Sequence, residues 1–264
     1  MKRISTIIIF TLAALSTWNV SGQNSIKSER GNLTICVAGV DLTIFERYGG
    51  VPPHVHAFSG HAKYRTHQAL FELGFNLPTQ LSYGAYPEDI EPWFRLRNNK
   101  SVQVTFNLLN VGTRLVQSGA VGLSASLGIS WNDYVFEDPT RVQRIGQLLT
   151  AEPIKSSKWV KTKINTFSLH LPVLLEFGQR KGFFGAVGVY GDLLVASHSK
   201  IKHGKKRDNE KHYNLPTALP QAGVTARVGY QRIYLFGNYS LTRLFQNDRG
   251  PETNILTIGL GLGF

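Results

Sequence analysis

The feature that most restricts this chain is an alternation of large apolar residues with small or polar ones, repeated along its length. The last eleven residues, "NILTIGLGLGF", place Leu256, Ile258, Leu260, Leu262 and Phe264 at every second position, with Thr257, Gly259, Gly261 and Gly263 between them. Side chains along a strand point alternately to opposite faces, so this stretch has one apolar wall and one of nearly bare backbone. In "VGLSASLGISW" (121–131) Leu123, Leu127, Ile129 and Trp131 alternate with glycines and serines. In "FSLHLPVLLEF" (167–177) Phe167, Leu169, Leu171, Val173 and Leu175 alternate with Ser168, His170 and Glu176 among others. "VQVTFNL" (102–108) and "ALFELGFNL" (69–77) repeat the pattern, with Glu72 on the small-residue face of the latter. A period of two predicts strands rather than helices. Segments 183–196, 215–228 and 233–241 bring the number to eight, although 233–236 is apolar on both sides.

The connections between these segments alternate in length. Residues 78–99, 137–160, 197–214 and 242–252 are long links, whereas 110–118, 178–182 and 229–232 are short. An all-β, eight-stranded antiparallel up-and-down transmembrane barrel of the outer-membrane type has this rhythm. Its tight turns lie on the periplasmic side and its long loops outside. A water-soluble barrel would turn its apolar face inward. A glycine stripe exposed to water would bury nothing, whereas an eight-stranded lumen has room only for small groups or a fitted polar network. The apolar face is therefore expected outward, against lipid, with Phe264 at an interfacial girdle. Glu72, Glu176, Arg227 and His170 fall on the inward faces, where a polar network is expected.

The start of the chain bears on location. Lys2 and Arg3 precede an apolar run from Ile4 to Leu15, and Val20, Ser21 and Gly22 are small enough for cleavage before Gln23. This is the layout of a secretory signal peptide over 1–22. The barrel domain is expected over 67–264, after a periplasmic segment 23–66. Leu33–Phe45 reads as a strand outside the barrel wall, a ten-strand barrel being the alternative. Cys36 is the sole cysteine, so no internal disulfide is available. The formal charge of +12, or +10 without Lys2 and Arg3, suits anionic lipid better than nucleic acid in an exported chain.

"ALFELGFN", "LGISWNDYVF", "FSLHLPVLLEF", "ARVGYQRIYLFGNYSLTRLF" and "GPETNILTIGLGLGF" together resemble the PorT-like outer-membrane β-barrel proteins of Bacteroidetes, over most of the chain after residue 67. The resemblance implies an integral outer-membrane barrel. Its C-terminal strand, with Ile258, Leu260, Leu262 and Phe264, would be recognised by the barrel-assembly machinery. It also brings secretion-system components into view as partners, although no motif carries that role.

Candidate chemistry is sparse. Ser168 and His170 share a face with Glu176, but a two-residue spacing on one strand leaves about 6–7 Å between them, too far for a nucleophile and its base. His54, His56, His61 and His67 match no closed metal site and read as a solvated segment. No catalytic residue, metal or cofactor is expected, so the chain reads as a structural or surface-binding protein. An export accessory, a narrow pore or a lipid-modifying barrel enzyme are the alternatives. The strongest polar feature is "HSKIKHGKKRDNEKH" (198–212). Its Lys200, Lys202, Lys205, Lys206, Arg207 and Lys211 read as a basic external loop for outer-membrane lipid and lipopolysaccharide.

Overall fold

The computed structural model describes residues 25–29, 32–37, 40–45, 55–57 and, with five short breaks, 66–263. The chain divides into two compact units, Met1–Lys63 and Tyr64–Phe264. The first carries β1 (Ser25–Glu29), β2 (Asn32–Val37), β3 (Val40–Phe45) and β4 (Val55–Ala57), an antiparallel sheet of their own. The stretch Leu33–Phe45, expected as one strand, is thus the hairpin of β2 and β3, paired as Val37 with Val40 and Asn32 with Phe45. The signal-peptide region and Phe264 lie outside the described residues.

The second unit is all β, with no helix among the described residues. In chain order it contains β5 (Phe71–Ser82), β6 (Val102–Arg114), β7 (Val121–Val135), β8 (Thr140–Ile145), β9 (Leu148–Pro153) and β10 (Val160–Gly178). β11 (Phe183–His203), β12 (Asn209–Tyr213), β13 (Gln221–Tyr230), β14 (Ile233–Ser240) and β15 (Glu252–Leu262) follow. Eight strands form the wall in the order β10-β7-β6-β5-β15-β14-β13-β11, and β11 pairs back onto β10. The barrel is closed. Its seam joins the last strand to the first, with Leu260 opposite Leu73 and Ile258 opposite Phe75. Closure gives every wall strand a neighbour on both sides, although β5 and β6 pair only over Phe71–Phe75 and Val102–Phe106. Eight strands close on themselves, so the ten-strand alternative falls.

The staves follow the alternation over most of their length, with a break on β6 where the register shifts between Asn107 and Leu109. Leu73, Leu123, Leu171, Val187, Val228, Leu235 and Leu260 face outward and are exposed, while Glu72, Ser124, His170, Arg227 and Thr257 face inward and are buried. The outward residues form an apolar belt. Paired aromatics mark its two borders: Phe183 with Tyr230 (ring centroids 4.9 Å apart) at the short-turn end, Trp131 with Phe167 (4.9 Å) at the long-loop end.

The glycine face has a packing role. A methyl group on Gly261 would stand 2.3 Å from the Tyr234 ring, and one on Gly259 would stand 2.2 Å from the Leu73 carbonyl oxygen. Bare backbone on β15 therefore lets the Tyr234 ring lie inside the wall. At the β10–β11 turn, Gly178 has φ +119°, which an L side chain rarely adopts.

Two expectations need correction. The segment 197–214 is not a free loop: β11 runs on to His203 and pairs with β12, so strand fills most of it. The segment 215–228 is not one strand, since β13 begins only at Gln221.

The other long links are also structured. β8 and β9 form a hairpin within 137–160, and isolated bridges join Leu96 to Phe136 and Thr217 to Phe245. Phe94, Leu149, Leu215, Leu244 and Phe245 from four links meet Tyr134, Phe136, Ile164 and Ile255 in one buried apolar cluster at the long-loop end. Phe94 is its centre, edge-on to Phe136 (5.7 Å) and Phe245 (5.6 Å).

Candidate functional site: a sealed polar lumen and a basic outer face

The inward faces supply an unusual density of buried polar groups. At the short-turn end the segment preceding β5 enters the lumen. His67 donates its backbone N–H to Glu176 Oε2 (2.9 Å), and its Nδ1 lies 2.7 Å from the same oxygen. Its ring stacks on Phe184 at 4.2 Å. Gln68 Nε2 donates to Ser124 Oγ (3.0 Å), and Ser124 donates in turn to Glu176. The Ala69 N–H donates to Tyr234 Oη (3.0 Å), and Asn107 Nδ2 donates to the Ala69 carbonyl (2.9 Å). Residues 67–69 thus plug this end. His67 was expected in a solvated segment; it is buried because Glu176 and Phe184 hold it. His54 and His61 lie outside the described residues.

Beside this plug, Arg227 Nη2 sits 3.1 Å from Glu72 Oε1, and both side chains are 1% exposed. Tyr234 bridges them, donating to Glu72 and accepting from Arg227 Nη1 (3.3 Å). In the middle of the barrel Thr257 Oγ1 donates to Asn76 Oδ1 (2.7 Å), whose amide donates to Asn132 (3.2 Å). The buried charges of Arg227 and Glu72 need each other, since each alone would carry a large desolvation cost.

The fourth lumen residue, His170, lies apart from Glu176. Its Nδ1 is 2.7 Å from Asp192 Oδ1, across the β10–β11 pairing that sets these two residues opposite one another. Glu176 instead belongs to His67. Sequence reasoning missed Asp192, although counting back from the short β10–β11 turn would have placed it opposite His170. A histidine oriented by a carboxylate is half of a nucleophilic site. Among the described residues no nucleophile is hydrogen-bonded to His170 Nε2, and His170 and Asp192 are both buried.

The long-loop end is closed by the apolar cluster, and two phenols fasten it. Tyr86 Oη donates to the Leu149 carbonyl (2.6 Å), and Tyr83 Oη accepts the Phe94 N–H (2.7 Å). Burial raises both phenol pKa values, so the protonated form persists.

Of the basic residues, Lys200 and Lys202 lie on β11 and Lys211 on β12, on the outer surface of the extended hairpin. Lys205, Lys206 and Arg207 lie outside the described residues. Ile258, Leu260 and Leu262 are exposed on the outer face of β15. Comparison with protein-family models, with curated proteins and with solved structures finds no match for this chain.

Proposed function

We propose that this chain is an integral outer-membrane barrel without enzymatic activity, whose lumen serves as its core and whose outer wall and long-loop end carry its interactions. The carrying observation is the inversion of the two faces. Large apolar side chains ring the outside of the closed wall, while an Arg–Glu pair and two His–carboxylate pairs are buried inside it. In water, a continuous apolar band on eight strands would far exceed the patches of roughly 300–600 Å² that monomers tolerate. Lipid removes that difficulty, and closure of the barrel pairs each wall strand with a neighbour on both sides, as a spanning sheet requires. The aromatic pairs at both borders support the same orientation. A lumen plugged at one end by His67–Ala69 and capped at the other favours a structural or surface-binding protein over a pore.

Fractionation after expression in a Gram-negative host tests this reading. The protein is expected to stay with carbonate-washed outer membranes and to migrate differently on gels before and after boiling. A soluble, carbonate-extractable monomer would overturn it.

A further inference from the structure

Above the Trp131–Phe167 border the outward face changes character. On β10 it reads Asn165 then Lys163, on β11 His198 then Lys200, and on β12 Tyr213 then Lys211. Register places Lys163 opposite Lys200 and Lys200 opposite Lys211, so three lysines form one row across three strands. One row higher, Lys161 stands opposite Lys202. Like charges directly opposite on one face destabilise a sheet. The compensation present is partial: Asp133 on β7 takes Lys163 (2.6 Å), while among the described residues Lys200 and Lys211 make no ion pair. Lys163, Lys200 and Lys211, with Asn165 and His198, line a groove of about 220 Å³ whose lower edge is Trp131 and Phe167, the border of the apolar belt.

We propose that this groove binds the phosphorylated headgroup of an outer-leaflet glycolipid, lipid A. The assignment rests on the outer-membrane reading and names a partner for that surface. A row of lysines calls for an anion with more than one charge, and the groove holds a headgroup rather than a single ion. The lysines sit at the long-loop end, which in such a barrel faces the outside. Below them the exposed Leu171, Leu193 and Val195 continue the belt, so a ligand with phosphates at the rim and acyl chains beneath matches both halves of the surface. Lys163 and Lys200 bracket the phosphate, Lys211 closes the far side, and Trp131 packs against the first acyl carbons.

The test uses the full-length protein, folded in detergent micelles, with native mass spectrometry after addition of diphosphoryl lipid A, phosphatidylethanolamine or inorganic pyrophosphate. The wild type is expected to retain lipid A in preference to the zwitterionic lipid, and less so as salt rises. A lysine near an anionic lipid surface contributes about a fivefold gain in affinity. The triple variant Lys163→Ser, Lys200→Ser, Lys211→Ser should therefore lose on the order of a hundredfold. Asp133→Asn removes the competing carboxylate and should bind severalfold tighter. Unchanged lipid A retention in a triple variant that still shifts on heating would overturn the site. Pyrophosphate binding as tight as lipid A binding would replace the lipid with a bare phosphate as ligand, which also overturns it. A wild type that fails to stay with carbonate-washed membranes would instead overturn the underlying outer-membrane reading, and this one with it.

Discussion

Replacing Arg227 with Leu tests whether the lumen charges hold the barrel together. The guanidinium lies 3.1 Å from Glu72, and both side chains are 1% exposed. At that distance, with an effective dielectric of about 20, the gross attraction is about 5 kcal/mol. Removing Arg227 leaves a carboxylate with Tyr234 as its one side-chain donor among the described residues. A broken buried pair of this kind typically costs about 3–5 kcal/mol, and that is the loss expected of Arg227→Leu. Glu72→Leu should cost a similar amount, because it strands the guanidinium. The double variant should lose less than either single one, since two apolar side chains leave no uncompensated charge. Equilibrium urea unfolding in detergent micelles, followed by tryptophan fluorescence, measures all three. A loss below about 1 kcal/mol in both single variants, or single losses that simply add in the double variant, would refute the coupling.

Other perturbations probe separate parts of the molecule. Gly261→Leu would drive a side chain into the Tyr234 ring, so the yield of heat-modifiable protein should fall sharply while Ile258→Leu, on the exposed outer face, leaves it unchanged. Phe94→Ala removes the centre of the apolar cap and should cost about 3–5 kcal/mol locally, read as faster proteolysis of the long-loop end with the wall intact. Tyr86→Phe deletes the hydrogen bond to Leu149 and should raise amide exchange in β9 by a factor corresponding to about 1 kcal/mol. Burial raises the Tyr83 and Tyr86 pKa values, so the cap should keep its full stability below the ordinary phenol pKa of about 10 and loosen as pH rises beyond it. A cap-specific proteolysis profile that is flat through alkaline pH would count against this. Planar bilayers carrying the wild type should stay electrically silent; steady single-channel conductance would contradict a lumen closed at both ends.

The barrel was legible because most staves repeat a period of two in one phase. Leu73, Leu123, Leu171 and Leu260 could be assigned outward, and Glu72, His170 and Arg227 inward, without any knowledge of pairing. Above the belt the apolar residues move to the opposite phase, so the pattern that marks a stave ends before the strand does. On β10 and β11 the buried residues become Ile164 and Ile201 while lysines point outward. The pairing of these strands also shifts register between Phe167 and Ser168. A search for one apolar phase therefore ends the fifth stave near Ala196, although β11 continues to His203. The cap was illegible for a different reason. Phe94, Leu149 and Phe245 are isolated apolar residues on separate links, and only convergence in space makes them a core. His67 belongs to the same class, since its partner Glu176 lies 109 residues away.

These two groups of charges obey different rules, which is what directs attention to the wall. Inside, each of these ionisable groups has a partner at close range: Glu72 with Arg227, Glu176 with His67, Asp192 with His170. Such pairs specify packing, and an eight-stranded lumen has no room for a partner beyond them. Outside, above the belt, Lys161, Lys163, Lys200, Lys202 and Lys211 share one face with Asp133, and the register forces three of them side by side. A fold that pairs every lumen charge could have placed glutamates among those lysines, as β12 does where Glu210 meets Arg141 at 3.1 Å. Repulsion left in place on a rigid, strand-built surface disfavours the bare protein and is relieved when an anion arrives. The gain on binding is largest where the lysines need not be gathered from a mobile loop, because their positions are already fixed by the ladder. The excess charge of this chain is therefore best tested on the wall rather than in the lumen.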